Sequence, residues 1–162
     1  CSPGHWSGED KIGKTFFDIH APVPGIGKVN AAAPSLVDAM INKGPYTRFV
    51  WGFATDTRLN HHTEPPPGVP HDQWKGRSFQ RDREGSPFTL RVERQVIHGL
   101  PEVNASIFGI RIYFMDGEEI RSQPLKRQQL RSALLSMTPE SRVYKGLDGC
   151  MDQVIAWLDE KA

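Results

Sequence analysis

Leu90-Arg-Val-Glu-Arg-Gln-Val-Ile-His-Gly-Leu-Pro-Glu-Val-Asn-Ala-Ser-Ile-Phe-Gly-Ile-Arg-Ile-Tyr-Phe114 is the stretch on which the fold turns. Two runs rich in Val, Ile and Phe flank the break at Gly99–Ala105. Strand, turn and strand in that order predict an antiparallel hairpin. Arg91, Glu93, Arg94 and Arg111 sit among apolar neighbours, where a charge is costly unless it is paired. An ion-pair lattice on a half-exposed sheet is the commoner source of such a pattern, and a pocket that needs fixed charges is the alternative. Strand alternation sends Arg91 and Glu93 to one face and Arg94 to the other, so the charged set cannot line a single wall.

Upstream of the hairpin, Tyr46–Thr55 reads as a third strand, apolar and aromatic, with Gly52 as a bulge position. Pro34–Lys43 precedes it as a helix, with Pro34 in the first turn, Gly44 at the stop, and Leu36, Val37, Met40 and Ile41 on one face. Glu9–Ile19 holds at most a short helical turn, weakened by Gly13. His20-Ala-Pro-Val-Pro-Gly25 reads as an extended corner, because a residue before proline is pushed out of the α region. Between strand and hairpin, Leu59–Arg83 has neither a helical nor a strand period. It carries His61, His62, Pro65–Pro67, His71 and Trp74, and is long enough to cover a site or to move. Downstream, Pro124–Met137 is a helix with Leu130, Leu134 and Met137 on one face. Thr138-Pro139 caps and starts a short turn towards Gly146. Asp148 caps a last helix carrying Met151, Val154, Ile155 and Leu158. The sum is an α+β class: a small antiparallel sheet with helices to one side.

The chain has 162 residues, which fits one domain spanning 1–162. With 38% apolar and 24% charged residues, a packed core is expected rather than disorder. The net charge of +1 gives no reason to expect nucleic acid or an anionic membrane as partner. No apolar run is long enough for a membrane span, and no signal-peptide pattern opens the chain. The first residue is Cys1 rather than Met, as in a processed product or a fragment. Two cysteines, Cys1 and Cys150, make no disulfide framework, so a reducing, cytoplasmic compartment is the default.

The chain has no Walker loop, dinucleotide-binding glycine fingerprint, Cys-x-x-Cys pair or Gly-x-Ser-x-Gly elbow. His61, His62 and His71 could hold Zn or Cu, but adjacent histidines in a proline-rich loop lack the geometry of a strong metal motif, and a solvated loop is favoured. Cys1 could be the nucleophile of an N-terminal-Cys amidohydrolase, but too few strands are present for that fold. His20, beside Phe16, Phe17 and Ile19, could be an axial haem ligand. It could equally bond a nearby backbone carbonyl, and spacing alone favours that capping role.

Several phrases together resemble the haem-dependent oxidative N-demethylase family. They are Cys1-x-Pro-x-x-Trp6, Lys11-x-Gly13, Ile19-His20-Ala-Pro-Val-Pro-Gly25, Leu90-Arg-Val-Glu-Arg-Gln95, Leu100-Pro101, Phe108-x-Ile-Arg-x-Tyr113 and Tyr144-Lys-Gly-Leu147. The likeness runs from Cys1 to about Leu158, with the Val-Glu-Arg-Gln and His-x-Pro-Val-Pro-Gly pieces the most specific. It implies a PAS-like haem-binding domain, of which this chain is the C-terminal portion, completed by a segment or chain preceding Cys1. It also implies haem b, with electrons from NADPH through a flavin and iron–sulfur reductase, and O₂-dependent N-demethylation of a small amine. A non-enzymatic haem PAS sensor is the alternative. His20 becomes the implied axial ligand, with His5 and His98 as alternatives. Arg91, Glu93, Arg94, Arg111 and Tyr113 become pocket residues: Arg or Tyr donors to polarise O₂, a carboxylate to hold the substrate ammonium, or cations for haem propionates. Trp51 stands where the family often has an Asn-Trp pair, with Val50 in place of Asn, and is a cofactor contact.

Overall fold

The computed structural model describes residues 7–54, 56–59, 62, 64–70, 79 and 85–160. Its centre is a three-stranded antiparallel sheet in the order β1-β2-β3, with β1 at Tyr46–Ala54, β2 at Thr89–Leu100 and β3 at Ala105–Asp116. The hairpin expected from the sequence is β2-β3. Its two strands pair residue for residue from Thr89↔Asp116 to Leu100↔Ala105. The connection is a short 3-10 turn, Pro101–Val103, followed by Asn104 at φ 51, a left-handed conformation that asparagine tolerates better than most side chains.

Pairing without interruption places every second residue of β2 on the same face. One face, here the ladder face, carries Arg91, Glu93, Gln95 and Ile97, with Arg48 and Val50 from β1 and Phe108, Ile110, Ile112 and Phe114 from β3. The opposite, helical face carries Leu90, Val92 and Arg94, with Phe49, Trp51 and Phe53 from β1 and Arg111, Tyr113 and Met115 from β3. Gly52 makes no bulge: it pairs directly with Arg91, and nothing lies within 4 Å of the space a side chain would fill there.

Helices divide between the two faces. Near the N-terminus, a 3-10 turn at Glu9–Lys11 is followed by α1 (Phe16–His20), α2 (Gly27–Ala31) and α3 (Ala33–Asn42). The expectation for His20 is corrected here: it closes a helix instead of forming an extended corner, and Ala21 is helical although Pro22 follows. A reciprocal cap explains the override. The Thr15 hydroxyl accepts the Asp18 N–H while the Asp18 carboxylate accepts the Thr15 N–H, and Val23 N–H then closes the turn on the His20 carbonyl at 2.9 Å. α3 leans on the ladder face at Gly99. A Cβ built there would lie 2.0 Å from the Ile41 carbonyl oxygen, so only glycine lets helix and strand approach so closely. α1 packs in turn on α3.

After the sheet come α4 (Gly117–Ser122), α5 (Pro124–Leu135), α6 (Pro139–Tyr144) and α7 (Met151–Asp159). α4 was not expected from the sequence; the Asp116 carboxylate starts it by accepting the N–H groups of Glu118 and Glu119. Thr138 caps α6 as expected. Asp148 does not cap α7; the residue at that position is Cys150. The apolar faces of α5 and α7 supply Leu130, Leu134, Met151, Val154, Trp157 and Leu158 to a core shared with Phe53, Phe79, Phe88 and Ile120. Phe88 is its hub, stacked on Phe53 at 4.2 Å between centroids and edge-on to Trp157 at 5.4 Å. Because Trp51, Leu90 and Met115 pack against this cluster, the C-terminal helices cover one end of the helical face. No described helix is long and apolar enough to cross a membrane.

Candidate functional site

The ladder face holds a continuous chain of polar contacts. Arg48 Nε donates to Gln95 Oε1 at 2.6 Å, and Gln95 Nε2 donates to Glu93 Oε2 at 2.9 Å. Arg91 Nη2 meets Glu93 Oε1 at 3.2 Å, while its Nη1 donates to the Leu59 carbonyl at 3.2 Å. Arg91 is 8% exposed and Gln95 7%. That burial is sustainable because the guanidinium has a carboxylate partner and a carbonyl, and the amide is bonded at both ends. The bond to Leu59 also ties the segment after β1 to the sheet. Of the ion-pair lattice expected from the sequence, one pair is present here, Arg91–Glu93, extended through the neutral Gln95 amide to Arg48, while Arg94 and Arg111 lie on the other face. Apolar β3 side chains flank the ladder, from Phe108 to Phe114.

His20 closes α1, which packs on α3, and α3 in turn meets the ladder strand at Gly99. Its Nδ1 is 2.8 Å from the Phe16 carbonyl oxygen, and its ring rests on Phe16 at 4.1 Å between centroids. A carbonyl can only accept, so Nδ1 is the nitrogen that carries a proton here, and Nε2 is the one that would ligate. The two roles that compete on spacing, carbonyl capping and metal ligation, are thus compatible. Ligating imidazoles ordinarily donate their other N–H to a backbone carbonyl or a carboxylate. The donor type fits haem iron: a half-buried imidazole resting on an apolar ring, its other ring nitrogen held by a backbone carbonyl.

The family of haem-dependent oxidative N-demethylases, alpha subunit-like, matches residues 1–155. The chain belongs to that family. The match takes in α1, the whole sheet and the ladder, and stops within α7. Haem dependence and an oxidative role go with the family description.

The structure separates the other residues that the family resemblance marks. Arg94 and Arg111 face each other across β2 and β3 on the helical face, with Tyr113 beside them and the Arg111 guanidinium 5.4 Å from the Tyr113 ring centroid. Trp51 is on that face too. It packs against Phe53, and Lys145 both lies over its ring at 4.9 Å and donates to its carbonyl. Trp51 is thus on the face opposite the one that α3 meets at Gly99. Arg91 and Glu93 are on the face that α3 meets; Arg94, Arg111, Tyr113 and Trp51 are on the other. His98 is exposed and belongs to the helical face.

Two ladder members, Gln95 and Arg48, were not singled out from the sequence. Gln95 was within reach of the same reasoning, since it stands two residues after Glu93 in the motif itself and alternation puts it on the same face. Arg48 was hidden among the aromatic residues of β1, and only the pairing register brings it to Gln95. Of the histidine trio, His61 and His71 lie outside the described residues, as do His5 and Cys1, while the His62 Nδ1 accepts the Glu64 N–H at 3.0 Å. Among the described residues no cluster of three metal-ligating side chains occurs. A hollow of about 320 Å³ lined by Pro124, Arg127, Gln128, Arg131, Leu158 and Asp159 lies on the C-terminal helices and contains none of the marked residues.

Proposed function

We propose that the protein is the haem-bearing oxygenase component of an amine N-demethylase, in a PAS-like domain, with haem b between the N-terminal helices and the ladder face. The observation that carries this is the bond from His20 Nδ1 to the Phe16 carbonyl, which leaves Nε2 as the ligating nitrogen, on a helix that packs on α3 in a chain of this family. His20 would hold the iron through Nε2, and the Phe16 carbonyl would keep its ring oriented. Haem, when bound, supplies the O₂ chemistry that oxidises the methyl carbon next to the amine nitrogen. Glu93, already bonded to Arg91 and Gln95, has acceptor capacity left on both oxygens and would take the substrate N–H, orienting the amine. Arg91 pairs with Glu93, fixing the carboxylate's position, and holds the Leu59 carbonyl against the same strand. Phe108, Ile110 and Ile112 give the apolar surface against which a macrocycle would lie. Electrons would come from NADPH through a flavin and iron–sulfur reductase on another chain or domain.

The test is a visible spectrum of the full-length protein, followed by turnover. A Soret band that is lost in His20→Ala and kept in His98→Ala supports the ligand assignment; a band that survives His20→Ala removes it. Formaldehyde release from dimethylamine, dependent on NADPH and reductase, is expected from the loaded protein. Haem without any such turnover across small secondary amines would instead point to a haem sensor.

A further inference from the structure

The ladder contains two guanidinium groups and one carboxylate, so one positive charge is unmatched. It belongs to Arg48. Arg91 pairs with Glu93, whereas Arg48 meets only the neutral Gln95 amide, and among the described residues no carboxylate lies within ion-pair distance of it. Gln95 does more than accept a bond. Its amide is locked between an acceptor and a donor, because reversing it would set its NH₂ against the Arg48 Nε–H and its oxygen against the Glu93 carboxylate. A buried amide thus fixes the Nε of Arg48, an exposed side chain, and among the described residues its two terminal nitrogens have no protein partner. Flanking them on the same face are Val50 and, across the sheet, Ile110 and Phe108; Val50 is 36% and Phe108 48% exposed. A cation pre-aimed beside an open apolar strip fits an anionic group attached to a greasy body, and the planar fork of arginine favours a carboxylate.

We propose that Arg48 binds a carboxylate of the ligand that occupies the ladder face. Two sources share this chemistry: a propionate of haem, or the carboxylate of an N-methyl amino acid as substrate. The first rests on the haem reading above; the second does not need it.

The experiment compares the full-length wild type with Arg48→Gln and Arg94→Gln, the latter removing a cation from the opposite face. Each is titrated with haemin and with haemin dimethyl ester, whose propionates are blocked, and calorimetrically with N-methylglycine and dimethylamine. If the propionate is the ligand, wild type binds haemin at least tenfold more tightly than the ester. Arg48→Gln then loses that preference with ester affinity unchanged, which also shows the fold intact, and Arg94→Gln keeps it. If the substrate supplies the carboxylate, haemin and ester bind alike, and N-methylglycine binds wild type at least tenfold more tightly than Arg48→Gln while dimethylamine does not distinguish them. The proposal is overturned if Arg48→Gln changes neither the porphyrin preference nor N-methylglycine binding, or if Arg94→Gln reproduces its effect. Failure of wild type to bind either porphyrin removes the haem reading alone, and the N-methylglycine titration still decides Arg48.

Discussion

Gly99→Ala is the sharpest probe of how α3 is held against the sheet. The added methyl carbon would stand 2.0 Å from the Ile41 carbonyl oxygen, 2.7 Å from its carbon and 3.0 Å from the Met40 oxygen. All three are backbone atoms, so no side chain can swing aside. Ordinary contact begins near 3.4 Å, so helix and strand must separate by more than an ångström. Overpacking of this kind costs roughly 1–3 kcal/mol, and rigid neighbours place it at the upper end. At about 2–4 °C per kcal/mol for a domain of this size, the thermal midpoint should fall by roughly 6–12 °C. Gly109→Ala on β3 is the matched control. Its nearest neighbour is the Val96 oxygen at 3.9 Å, so the change should stay within about 0.5 kcal/mol. Thermal and urea unfolding of both variants, with haem affinity measured alongside, makes the comparison. Because α3 supports the helix that carries His20, haem binding should weaken in the first variant and not in the second. Equal midpoints for the two would refute the close-approach account of α3.

Removing Arg91 should be costly out of proportion to its one ion pair. Arg91→Met leaves Glu93 half-buried without its counter-charge and frees the Leu59 segment, and about 3 kcal/mol is expected in urea unfolding, against much less for Arg94→Met on the exposed face. Leu134→Ala, at a fully buried core position, should cost about 2–5 kcal/mol with the ladder undisturbed. Burial pushes the Cys150 thiol above its usual range, against a smaller lowering by a backbone bond at Phe79. Alkylation near pH 8 should therefore be slower in the native protein than after denaturation. The sign for stability follows: the folded thiol resists ionising, so this contribution is intact at neutral pH and is lost as pH rises past the thiol range of the unfolded chain. A native labelling rate equal to the denatured one would refute the burial.

The hairpin was legible from composition alone because two long β-branched runs flank a proline-bearing break, and strand alternation correctly split Arg91 and Glu93 from Arg94. The core faces of α5 and α7 were legible for the same reason, with apolar residues at helical spacing. What escaped was local capping. Thr15-x-x-Asp18 is a reciprocal cap whose two side-chain bonds overrode the helix-breaking expectation at Ala21-Pro22, and Asp116 followed by two glutamates started a helix where none was expected. The path of α3 was invisible because a glycine's reason for being glycine appears only when its neighbour in space is known. Arg48 escaped for a related reason: its partner is forty-seven residues away in the chain, and only the β1–β2 register brings them together.

The turn at Pro101–Val103 and Asn104 has a consequence beyond closing the hairpin. It is the ruler of the site. Side chains alternate along β3, so a slip of one residue against β2 would exchange its two faces, carrying Arg111 and Tyr113 to the ladder and turning Ile110 and Ile112 away from it. A slip of two would restore each side chain to its face at a new position. Changes of length in this turn should therefore be tolerated in even steps and rejected in odd ones, so that a loop taking no part in the chemistry sets which sequences can perform it.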